Sequence, residues 1–296
     1  MTQIIASLSV IANRYDAVLC DLWGCLHNGK TPFPAAVAAL RAYRAQGGTV
    51  ILLTNAPRPK AAIAAQLAGM GVPDDAWDDI VTSGEAAQFA MYAGAVGRRV
   101  YHVGAAKDES FFTDLSEDLR AFAATQEPVT RVPLVEAEGI VCTGLADDLT
   151  ETPDDYRAVL LMGKTKGLPM LCANPDIIVD MGDKRLYCAG ALAAEYEKMG
   201  AQALYFGKPH PPIYDLARRK LAVMGITDDG RLLAIGDGVN TDVQGGMAEG
   251  IDTLFVTGGI AAASFGSDIE NPDQALLEAF LEKNMLSASY AIGHLR

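Results

Sequence analysis

Residues 17–29 read AVLCDLWGCLHNG, an apolar run that stops at Asp21 and continues into a stretch rich in glycine and polar residues. Residues 232–246, LLAIGDGVNTDVQGG, have the same arrangement, with Asp237 as the first charged residue. Both runs are apolar without alternation, which is typical of strands buried on both faces of a parallel sheet. Because ligands bind beyond the carboxyl ends of such strands, Asp21 and Asp237 are predicted to meet in one cleft.

Other segments show the same pattern and predict an α/β fold. Thr54 follows the apolar run at residues 50–53. A glycine and then Lys208 follow the apolar run at residues 203–206. A helix is predicted at residues 35–46, because a proline precedes it and two glycines follow it. Short apolar runs that alternate with helices favour a parallel sheet. We therefore expect a Rossmann-like core with a parallel sheet.

The spacing along the chain predicts a second domain. Thr54 and Lys208 are 154 residues apart, which is far longer than a crossover helix. This gap contains its own strand-like runs, at residues 99–103, 139–142, 170–172 and 177–179. The economical explanation is an inserted α/β domain at residues 83–200, with the core formed by residues 1–82 and 201–296.

Length and composition limit the class of protein. At 296 residues, the chain is long enough for about two domains. Half of the residues are hydrophobic and 21% are charged, which argues against a disordered or fibrous protein. The formal net charge of −13 argues against nucleic acid and anionic membranes as partners, because both need clustered lysine and arginine. A small anionic substrate is compatible with this net charge if a metal ion or a helix N-terminus makes the electrostatic potential positive at the binding site.

The five cysteines favour a reducing compartment. Their number is odd, none forms a CxxC pair, and Cys20, Cys142 and Cys172 lie in or beside apolar runs. This pattern predicts reduced, buried thiols instead of a disulfide framework or a zinc site. Cys25, the cysteine nearest to the predicted cleft, is interpreted as a packed residue. No segment approaches the ~18 apolar residues of a membrane helix, and residues 1–11 lack a basic secretory start. We therefore expect a soluble, cytoplasmic protein.

The side chains that follow the apolar runs favour phosphoryl chemistry with a divalent cation. Asp21 and Asp237 supply hard oxygen ligands, and Mg²⁺ usually takes only one or two carboxylates beside substrate phosphate. The Asp21 carboxylate could also act as a nucleophile and form an aspartyl-phosphate. Lys208 would neutralise charge on a phosphoryl group, and Thr54 would bind its oxygens. Each residue alone is more often a turn, a cap or a solvent-facing residue, so the inference depends on the ordered set.

Four segments together resemble the motifs of the haloacid dehalogenase superfamily, in the family's order: AVLCDLWGCLHNG, VILLTNAPRP, YFGKPHPPIY and LLAIGDGVNTDVQGG. The letters HNG after the first motif, TSGEAA at residues 82–87, ANPD at residues 173–176 and the long insertion are similar to its class IIA branch. That branch includes sugar-phosphate and nucleotide phosphatases with a large α/β cap of the C2 type. The resemblance implies a Rossmann-like core, such a cap at residues 83–200, and Mg²⁺ as cofactor.

The resemblance also implies roles for the matching residues. Asp21 would be the nucleophile and a metal ligand. Thr54 would bind the phosphoryl group together with the backbone of Asn55, and Lys208 would steady both the nucleophile and the phosphate. Asp237 would hold Mg²⁺.

One position departs from the family's pattern. The phosphatases of the family carry a second Asp, the general acid and base, two residues after the nucleophile, where this chain has Trp23. The backbone carbonyl of that position contacts the metal in such enzymes, so Trp23 is compatible with Mg²⁺ binding but removes the proton donor. Asp242 would support the metal indirectly or through a water. His27 and His210 are candidates to replace the missing acid, and His27 could titrate near neutrality.

The sequence thus predicts a Mg²⁺-dependent phosphohydrolase for a small phosphorylated metabolite, such as a sugar or nucleotide phosphate, through an aspartyl-phosphate. Because Trp23 replaces the acid, the first alternative is a catalytically weak protein that binds a phosphorylated ligand as a sensor. The second alternative is a haloacid dehalogenase, since the family's dehalogenases carry D-x-Y-G where this chain has DLWG. The position of the cap and the intact GDGVNTD letters fit that alternative less well. The resemblance allows a homodimer, because cap-mediated dimers occur in similar proteins.

Overall fold

The computed structural model describes residues 1–181 and 184–296, and strands alternate with helices along them. The strands are β1 (Gln3–Ile4), β2 (Ala17–Cys20), β3 (Thr49–Thr54), β4 (Asp79–Thr82), β5 (Arg99–Val103), β6 (Thr130–Arg131), β7 (Gly139–Cys142), β8 (Met170–Cys172), β9 (Ile178–Met181), β10 (Lys184–Tyr187), β11 (Ala203–Tyr205), β12 (Leu232–Gly236), β13 (Asp252–Val256) and β14 (Tyr290–Ile292). The α-helices are α1 (Pro34–Ala45), α2 (Lys60–Gly69), α3 (Ser83–Tyr92), α4 (Ser110–Thr113), α5 (Glu117–Ala123), α6 (Arg157–Thr165), α7 (Ala189–Lys198), α8 (Pro211–Val223), α9 (Gln244–Glu249) and α10 (Gln274–Lys283).

The chain divides into two compact units. The first unit consists of Met1–Thr54, Ala64–Val81 and Tyr214–Arg296, and the second consists of Asn55–Ile63 and Thr82–Ile213. Each unit has a sheet of its own.

The first unit is built on a parallel sheet. Seven of the described strands form it, in the order β1-β14-β13-β12-β2-β3-β4, and the pairs from β1 to β3 run parallel. The residues of β2 and β12 are all buried, without alternation. Continuous burial of this kind means that both faces of the sheet are covered, which explains the unbroken apolar runs in the sequence. The predicted α/β class with a parallel-sheet core is confirmed.

Helix α1 forms for the reasons that the sequence gives. Pro34 occupies its first turn, where the missing backbone N–H is not needed. Leu40 and Tyr43 lie on its buried face, and the Tyr43 hydroxyl donates to the Tyr15 carbonyl oxygen at 2.8 Å. The chain then leaves the helix through Gly47, whose φ of +92° is a left-handed conformation that favours glycine.

The second unit has a parallel sheet and a core of its own. Five of the described strands form this sheet, in the order β11-β8-β7-β5-β6, and all of its pairs are parallel. Ile140 and Met170 of the sheet pack with Leu160 of α6 and Tyr196 of α7 in a buried cluster. The Tyr196 hydroxyl donates to the Leu168 carbonyl oxygen at 2.7 Å, so its polar atom is satisfied inside this core.

Strand β11 corrects the predicted division of the chain. Residues 201–296 are predicted to belong to the core, but Ala203–Tyr205 pair with Met170–Cys172 of the second unit. This unit extends to Ile213 and also includes Asn55–Ile63. The apolar run at residues 203–206 indicates a buried strand, but burial alone does not identify the neighbouring strand. The role of residues 83–200 as a cap stays a prediction.

Three further expectations have different outcomes. All five cysteines are buried and free of disulfides, as predicted. The strand expected at residues 177–179 overlaps β9, which begins at Ile178 and pairs antiparallel with β10 in a two-stranded sheet. Within the described part of the chain, no helix combines the length and apolar character needed to span a membrane. The cytoplasmic compartment stays a prediction.

Candidate active site

Asp21 and Asp237 lie at the carboxyl ends of adjacent strands of the first unit. Strands β2 and β12 pair in parallel with Cys20 opposite Ile235, and the Asp21 N–H donates to the Ile235 carbonyl oxygen at 2.8 Å. The two carboxylates therefore follow their strands at the same edge of the sheet. A carboxylate oxygen of each residue and the Cys25 Sγ atom lie within 4.8 Å of one another. We call these three side chains the carboxylate–thiol cluster.

A tight turn after β2 brings Cys25 to the carboxylates. The N–H groups of Leu26 and His27 donate to the Leu22 carbonyl oxygen at 2.8 and 3.0 Å, and the Gly24 N–H donates to the His27 carbonyl oxygen at 2.9 Å. Gly24 has a φ of +78°, in the left-handed region that favours glycine. The turn buries Cys25, whose exposed fraction is 1%.

The Asp237 side chain is enclosed by backbone. The Ile260 N–H donates to Asp237 Oδ2 at 2.9 Å. A Cβ atom at Gly24 or at Gly259 would lie less than 3.0 Å from the same oxygen, closer than side chains approach. Two glycines therefore leave the space that the carboxylate occupies, and the Ile260 N–H fixes its orientation.

Asp242 stabilises the loop that follows β12 through hydrogen bonds. Its Oδ2 atom accepts hydrogen bonds from the Gly238 N–H at 3.1 Å and the Thr241 hydroxyl at 3.3 Å. Both partners belong to the loop that leads through the π-helical turn Val239–Val243. Among the described residues, the group of potential ligand atoms within 4.8 Å of one another does not include Asp242. A contribution of Asp242 to a metal site stays a prediction.

Trp23 presents an aromatic surface where the family's phosphatases carry an acid. Its indole packs on backbone, because a Cβ atom at Gly29 would lie only 2.5 Å from Trp23 Cζ2. The ring also meets the His27 imidazole edge-on, with the centroids 5.6 Å apart. An indole offers one N–H donor and no acid in the physiological range, so this side chain cannot protonate a leaving group.

His27 does not titrate near neutrality, in contrast to the expectation from the sequence. Its Nδ1 atom accepts a hydrogen bond from the Gly29 N–H at 3.0 Å, which places the proton of the neutral ring on Nε2. The side chain is 2% exposed, and this burial lowers the pKa of His27 to about 4. The imidazole is therefore neutral at pH 7 and is a poor substitute for the missing acid.

His210 belongs to the second unit and stacks on an aromatic ring. Its imidazole lies parallel to the Tyr205 ring, with the centroids 4.8 Å apart. Burial lowers the pKa of His210, although the Glu197 charge opposes this effect. The neutral form is thus favoured here too, and the role of His210 as an acid stays a prediction.

Asn55 and Lys208 are joined within the second unit. Asn55 Oδ1 accepts from the Lys208 N–H at 2.7 Å, and Asn55 Nδ2 donates to the Lys208 carbonyl oxygen at 3.1 Å. Asn55 Nδ2 also donates to Asp176 Oδ1 at 2.8 Å. Lys208 is 2% exposed. This amide clamp fixes the backbone of the second and third motifs. Thr54, the residue before Asn55, ends β3 in the first unit and is also buried.

Two residues next to the predicted site residues, Cys25 and Asp176, have no functional role in the prediction from sequence. The sequence pattern favours a packing role for Cys25. Its position four residues after Asp21, next to Gly24, is the feature of the sequence that places it near the predicted cleft. Asp176 belongs to the ANPD letters and follows β8, the same strand-end position that singles out the other polar residues. Its bond to Asn55 depends on the fold of the second unit, which one strand pattern does not reveal.

The carboxylate–thiol cluster has the chemistry of a cation site. Two carboxylates at this separation repel each other, and a divalent cation between them turns the repulsion into attraction. Carboxylate oxygens are also the side-chain ligands that Mg²⁺ prefers. The Cys25 thiol adds a softer donor, whose pKa is raised by burial and then by the Asp237 and Asp21 charges.

Family models match both ends of the chain. A model described as haloacid dehalogenase-like hydrolase matches residues 18–116, and one described as HAD-hydrolase-like matches residues 205–282. A solved structure from Brucella suis 1330, a hydrolase of the haloacid dehalogenase-like family, is 40% identical. It has a TM-score of 0.83 and covers 99% of this chain and 100% of that chain.

Curated relatives are more distant. A D-glycerol 3-phosphate phosphatase of Mycobacterium tuberculosis is 28% identical over 258 residues, which are 86% of this chain and 66% of the relative. The 5'-nucleotidase YutF of Bacillus subtilis is 25% identical over 265 residues, 88% of this chain and 95% of the relative. The solved glycerol phosphate phosphatase Rv1692 from M. tuberculosis, in complex with magnesium, shares the fold with a TM-score of 0.65. Its identity is 24%, and the match covers 87% of this chain and 73% of that chain.

Proposed function

The chain belongs to the haloacid dehalogenase-like hydrolases and to their class IIA branch, and we propose that it is a Mg²⁺-dependent phosphohydrolase. One observation carries the proposal: the Asp21 and Asp237 carboxylates lie within 4.8 Å of each other at the ends of adjacent parallel strands. Relatives named as a glycerol 3-phosphate phosphatase and a 5'-nucleotidase support phosphate esters as the substrate class. We assign the substrate to small phosphorylated metabolites, such as sugar or nucleotide phosphates.

Mg²⁺ would be held by the carboxylates of Asp21 and Asp237 and by the backbone carbonyl of Trp23, with Asp242 in a supporting place. When bound, Mg²⁺ neutralises charge on the phosphoryl oxygens and reduces their repulsion with the Asp21 carboxylate. The M. tuberculosis phosphatase solved with magnesium supports this choice of cation. The bond from the Ile260 N–H to Asp237 Oδ2 orients the Asp237 carboxylate before any ligand arrives.

Asp21 would be the nucleophile. One of its carboxylate oxygens forms a bond to phosphorus while the ester P–O bond breaks, which gives an aspartyl-phosphate and an alkoxide that takes a proton from water. A water molecule then adds to phosphorus, loses a proton, releases inorganic phosphate and regenerates the Asp21 carboxylate. The buried strand ends on which Asp21 is held keep the carboxylate in a fixed position for both steps.

Thr54, Asn55 and Lys208 would bind the phosphoryl group. We assign its oxygens to the Thr54 hydroxyl, the Asn55 backbone and the Lys208 ammonium, which offsets the charge that develops during transfer. The amide clamp between Asn55 and Lys208 supports this assignment, because it orders the backbone from which both residues project.

Trp23 favours a second candidate function, the binding of a phosphorylated ligand with slow turnover. A positioned acid contributes about 10²–10⁴-fold to such reactions, which corresponds to roughly 3–5 kcal/mol. Trp23 lacks an acidic proton, and the neutral His27 beside it does not replace one. The two candidates differ in turnover and not in the ligand class.

Replacement of the nucleophile tests the proposal. Asp21→Asn removes the attacking oxygen, so phosphate release from a panel of phosphate esters at saturating Mg²⁺ should fall by at least about 10⁴-fold. Asp75→Asn is the control, because Asp75 forms an exposed ion pair with Arg41 that is worth about 1 kcal/mol or less. Mass spectrometry of acid-quenched protein should detect a phosphoryl group on the unmodified chain and none on Asp21→Asn.

Other results would reject the proposal. Undiminished phosphate release by a folded Asp21→Asn protein would show that Asp21 is not the nucleophile. Binding of the esters by the unmodified chain without release would favour the sensor. Halide release that ignores a chelator would favour a dehalogenase.

A further inference from the structure

We propose that Cys25 is a ligand of this cation site and that the site therefore also captures thiophilic divalent cations such as Zn²⁺ and Cd²⁺. The inference rests on the cation site of the proposed function but not on turnover. It assigns a metal-binding role to a residue that sequence reasoning interprets as packing.

The geometry of the carboxylate–thiol cluster carries the inference. The Cys25 Sγ atom and the oxygens of Asp21 and Asp237 lie within 4.8 Å of one another. In tetrahedral zinc sites, Zn–S bonds of about 2.3 Å and Zn–O bonds of about 2.1 Å place sulfur and oxygen about 3.6 Å apart. The observed upper limit of 4.8 Å is about 1.2 Å longer than this spacing, so the Asp21 and Cys25 side chains would move toward the fixed Asp237 carboxylate to close the cluster around one ion.

A second, independent observation is the surroundings of the thiol itself. Cys25 is 1% exposed, and across residues 1–181 and 184–296 its Sγ atom makes no hydrogen bond. By contrast, the neighbouring Cys20 thiol donates to the Asp21 carbonyl oxygen at 3.3 Å. A buried thiol that faces two carboxylates, with no hydrogen-bond acceptor of its own, is a donor atom available to a cation at that point.

The softness of the Cys25 sulfur determines which cations bind more tightly because of this residue. A thiolate is a soft ligand that favours Zn²⁺ and Cd²⁺, whereas Mg²⁺ takes hard oxygen ligands. On binding, the metal–sulfur bond replaces the S–H bond, and the proton leaves to the buffer. The cluster then supplies two carboxylates and one thiolate, a three-ligand protein site of the type that zinc occupies. Mg²⁺ would use the carboxylates and leave the thiol protonated.

Cadmium is the probe that reports sulfur directly. The intact protein, stripped with a chelator and desalted into phosphate-free buffer, is titrated with Cd²⁺ while the ultraviolet charge-transfer absorption of a Cd²⁺–thiolate bond is recorded. We expect this absorption to rise until one Cd²⁺ is bound per chain in the unmodified protein and in Cys20→Ser. We expect no such absorption in Cys25→Ser. The affinity for Cd²⁺ should fall at least about 10²-fold in Cys25→Ser, the upper end of what loss of an outer-shell partner costs.

A measurement on the unmodified chain keeps the test decisive if Cys25→Ser does not fold. The ¹¹³Cd NMR shift distinguishes coordination by oxygen alone from coordination that includes one sulfur, and we expect the latter. Cadmium binding without the charge-transfer band, or a band that persists in Cys25→Ser, would overturn the inference. If calorimetry detects Mg²⁺ binding but Cd²⁺ gives no sulfur signal, only the role of Cys25 fails. If neither cation binds, the cation site of the proposed function fails as well.

Discussion

At the scale of single residues, we predict that Trp23 determines which phosphate esters the chain cleaves efficiently. Alkyl phosphates have poor leaving groups that need a proton, whereas aryl phosphates leave as stabilised anions. We therefore expect the unmodified chain to cleave aryl phosphates much faster than alkyl phosphates. Trp23→Asp restores a carboxylate and should raise alkyl phosphate turnover by up to about 10²-fold, with a smaller effect on aryl phosphates. Steady-state kinetics on one ester of each type, at saturating Mg²⁺, measure the change.

The matched control for that substitution is Trp23→Leu, which removes the indole without adding an acid. Both variants lose the packing of the indole on Gly29, so a gain seen only with Trp23→Asp belongs to the carboxylate. Efficient cleavage of alkyl phosphates by the unmodified chain would contradict the prediction, because it would require another proton donor such as His210.

We predict that His27 makes the free energy of unfolding depend on pH below neutrality. Burial lowers the pKa of His27 from 6.5 to about 4, so the unfolded chain binds this proton more readily than the folded one. The stabilisation is complete above pH 6.5 and is lost as the pH falls toward 4. The difference between the two pKa values corresponds to roughly 3 kcal/mol.

Urea unfolding between pH 7 and pH 4 tests this dependence. His27→Asn keeps an acceptor for the Gly29 N–H but has no titrating group. The advantage of the unmodified chain over His27→Asn in free energy of unfolding should therefore shrink by up to about 3 kcal/mol across this range. Parallel pH curves for the two proteins would mean that His27 titrates alike in both states.

Some of the site can be predicted from single residues, and some cannot. Asp21 and Asp237 are predictable because each follows an unbroken apolar run, and the ends of parallel strands share one edge of a sheet. The position of Cys25 is not, because it depends on the φ of Gly24 and on the hydrogen bonds that close the turn. The low pKa of His27 is equally hidden, since it follows from burial and not from residue type.

At the scale of elements, the loops that follow β12 and β13 hold Asp237 in place. A Cβ atom at Gly259 would lie less than 3.0 Å from Asp237 Oδ2, so Gly259→Ala must displace the carboxylate. We expect the Mg²⁺ affinity, measured by calorimetry, to fall at least about 10-fold, as for other changes that reorient a metal ligand. Gly69→Ala is the control, because nothing lies within 4 Å of a Cβ atom there. Unchanged affinity in a folded Gly259→Ala protein would contradict the proposed site.

The elements themselves show where sequence patterns stop being informative. The runs at residues 17–20 and 232–235 predict β2 and β12 because a strand buried on both faces needs every residue to be apolar. Strands such as Gln3–Ile4 and Tyr290–Ile292 are two and three residues long, too short for any periodicity. The strand Ala203–Tyr205 is predicted but assigned to the wrong sheet, because its partner is set by tertiary packing.

At the scale of the whole molecule, the presence of a second unit is predictable and its limits are not. The separation of 154 residues from Thr54 to Lys208 is too long for one crossover. The limits depend on contacts between distant segments, such as the bonds of Asn55 with Lys208, which make Asn55–Ile63 part of the second unit. The cap role of residues 83–200 and the homodimer stay predictions.

The net charge of −13 should make Mg²⁺ binding depend on ionic strength. An acidic surface raises the local concentration of cations, and salt screens it as the Debye length falls from about 30 Å at 0.01 M to about 8 Å at 0.15 M. We expect the Kd for Mg²⁺, measured by calorimetry, to rise about 5-fold between these conditions. Repeating the titration in choline chloride separates screening from competition by K⁺.

Replacing the exposed Asp74 and Glu282 by lysine changes the net charge by four, from −13 to −9. This double variant should bind Mg²⁺ more weakly than the unmodified chain at 0.01 M salt and about equally at 0.15 M. Equal Kd values for the unmodified chain at both salt concentrations would show that the ligands alone set the affinity.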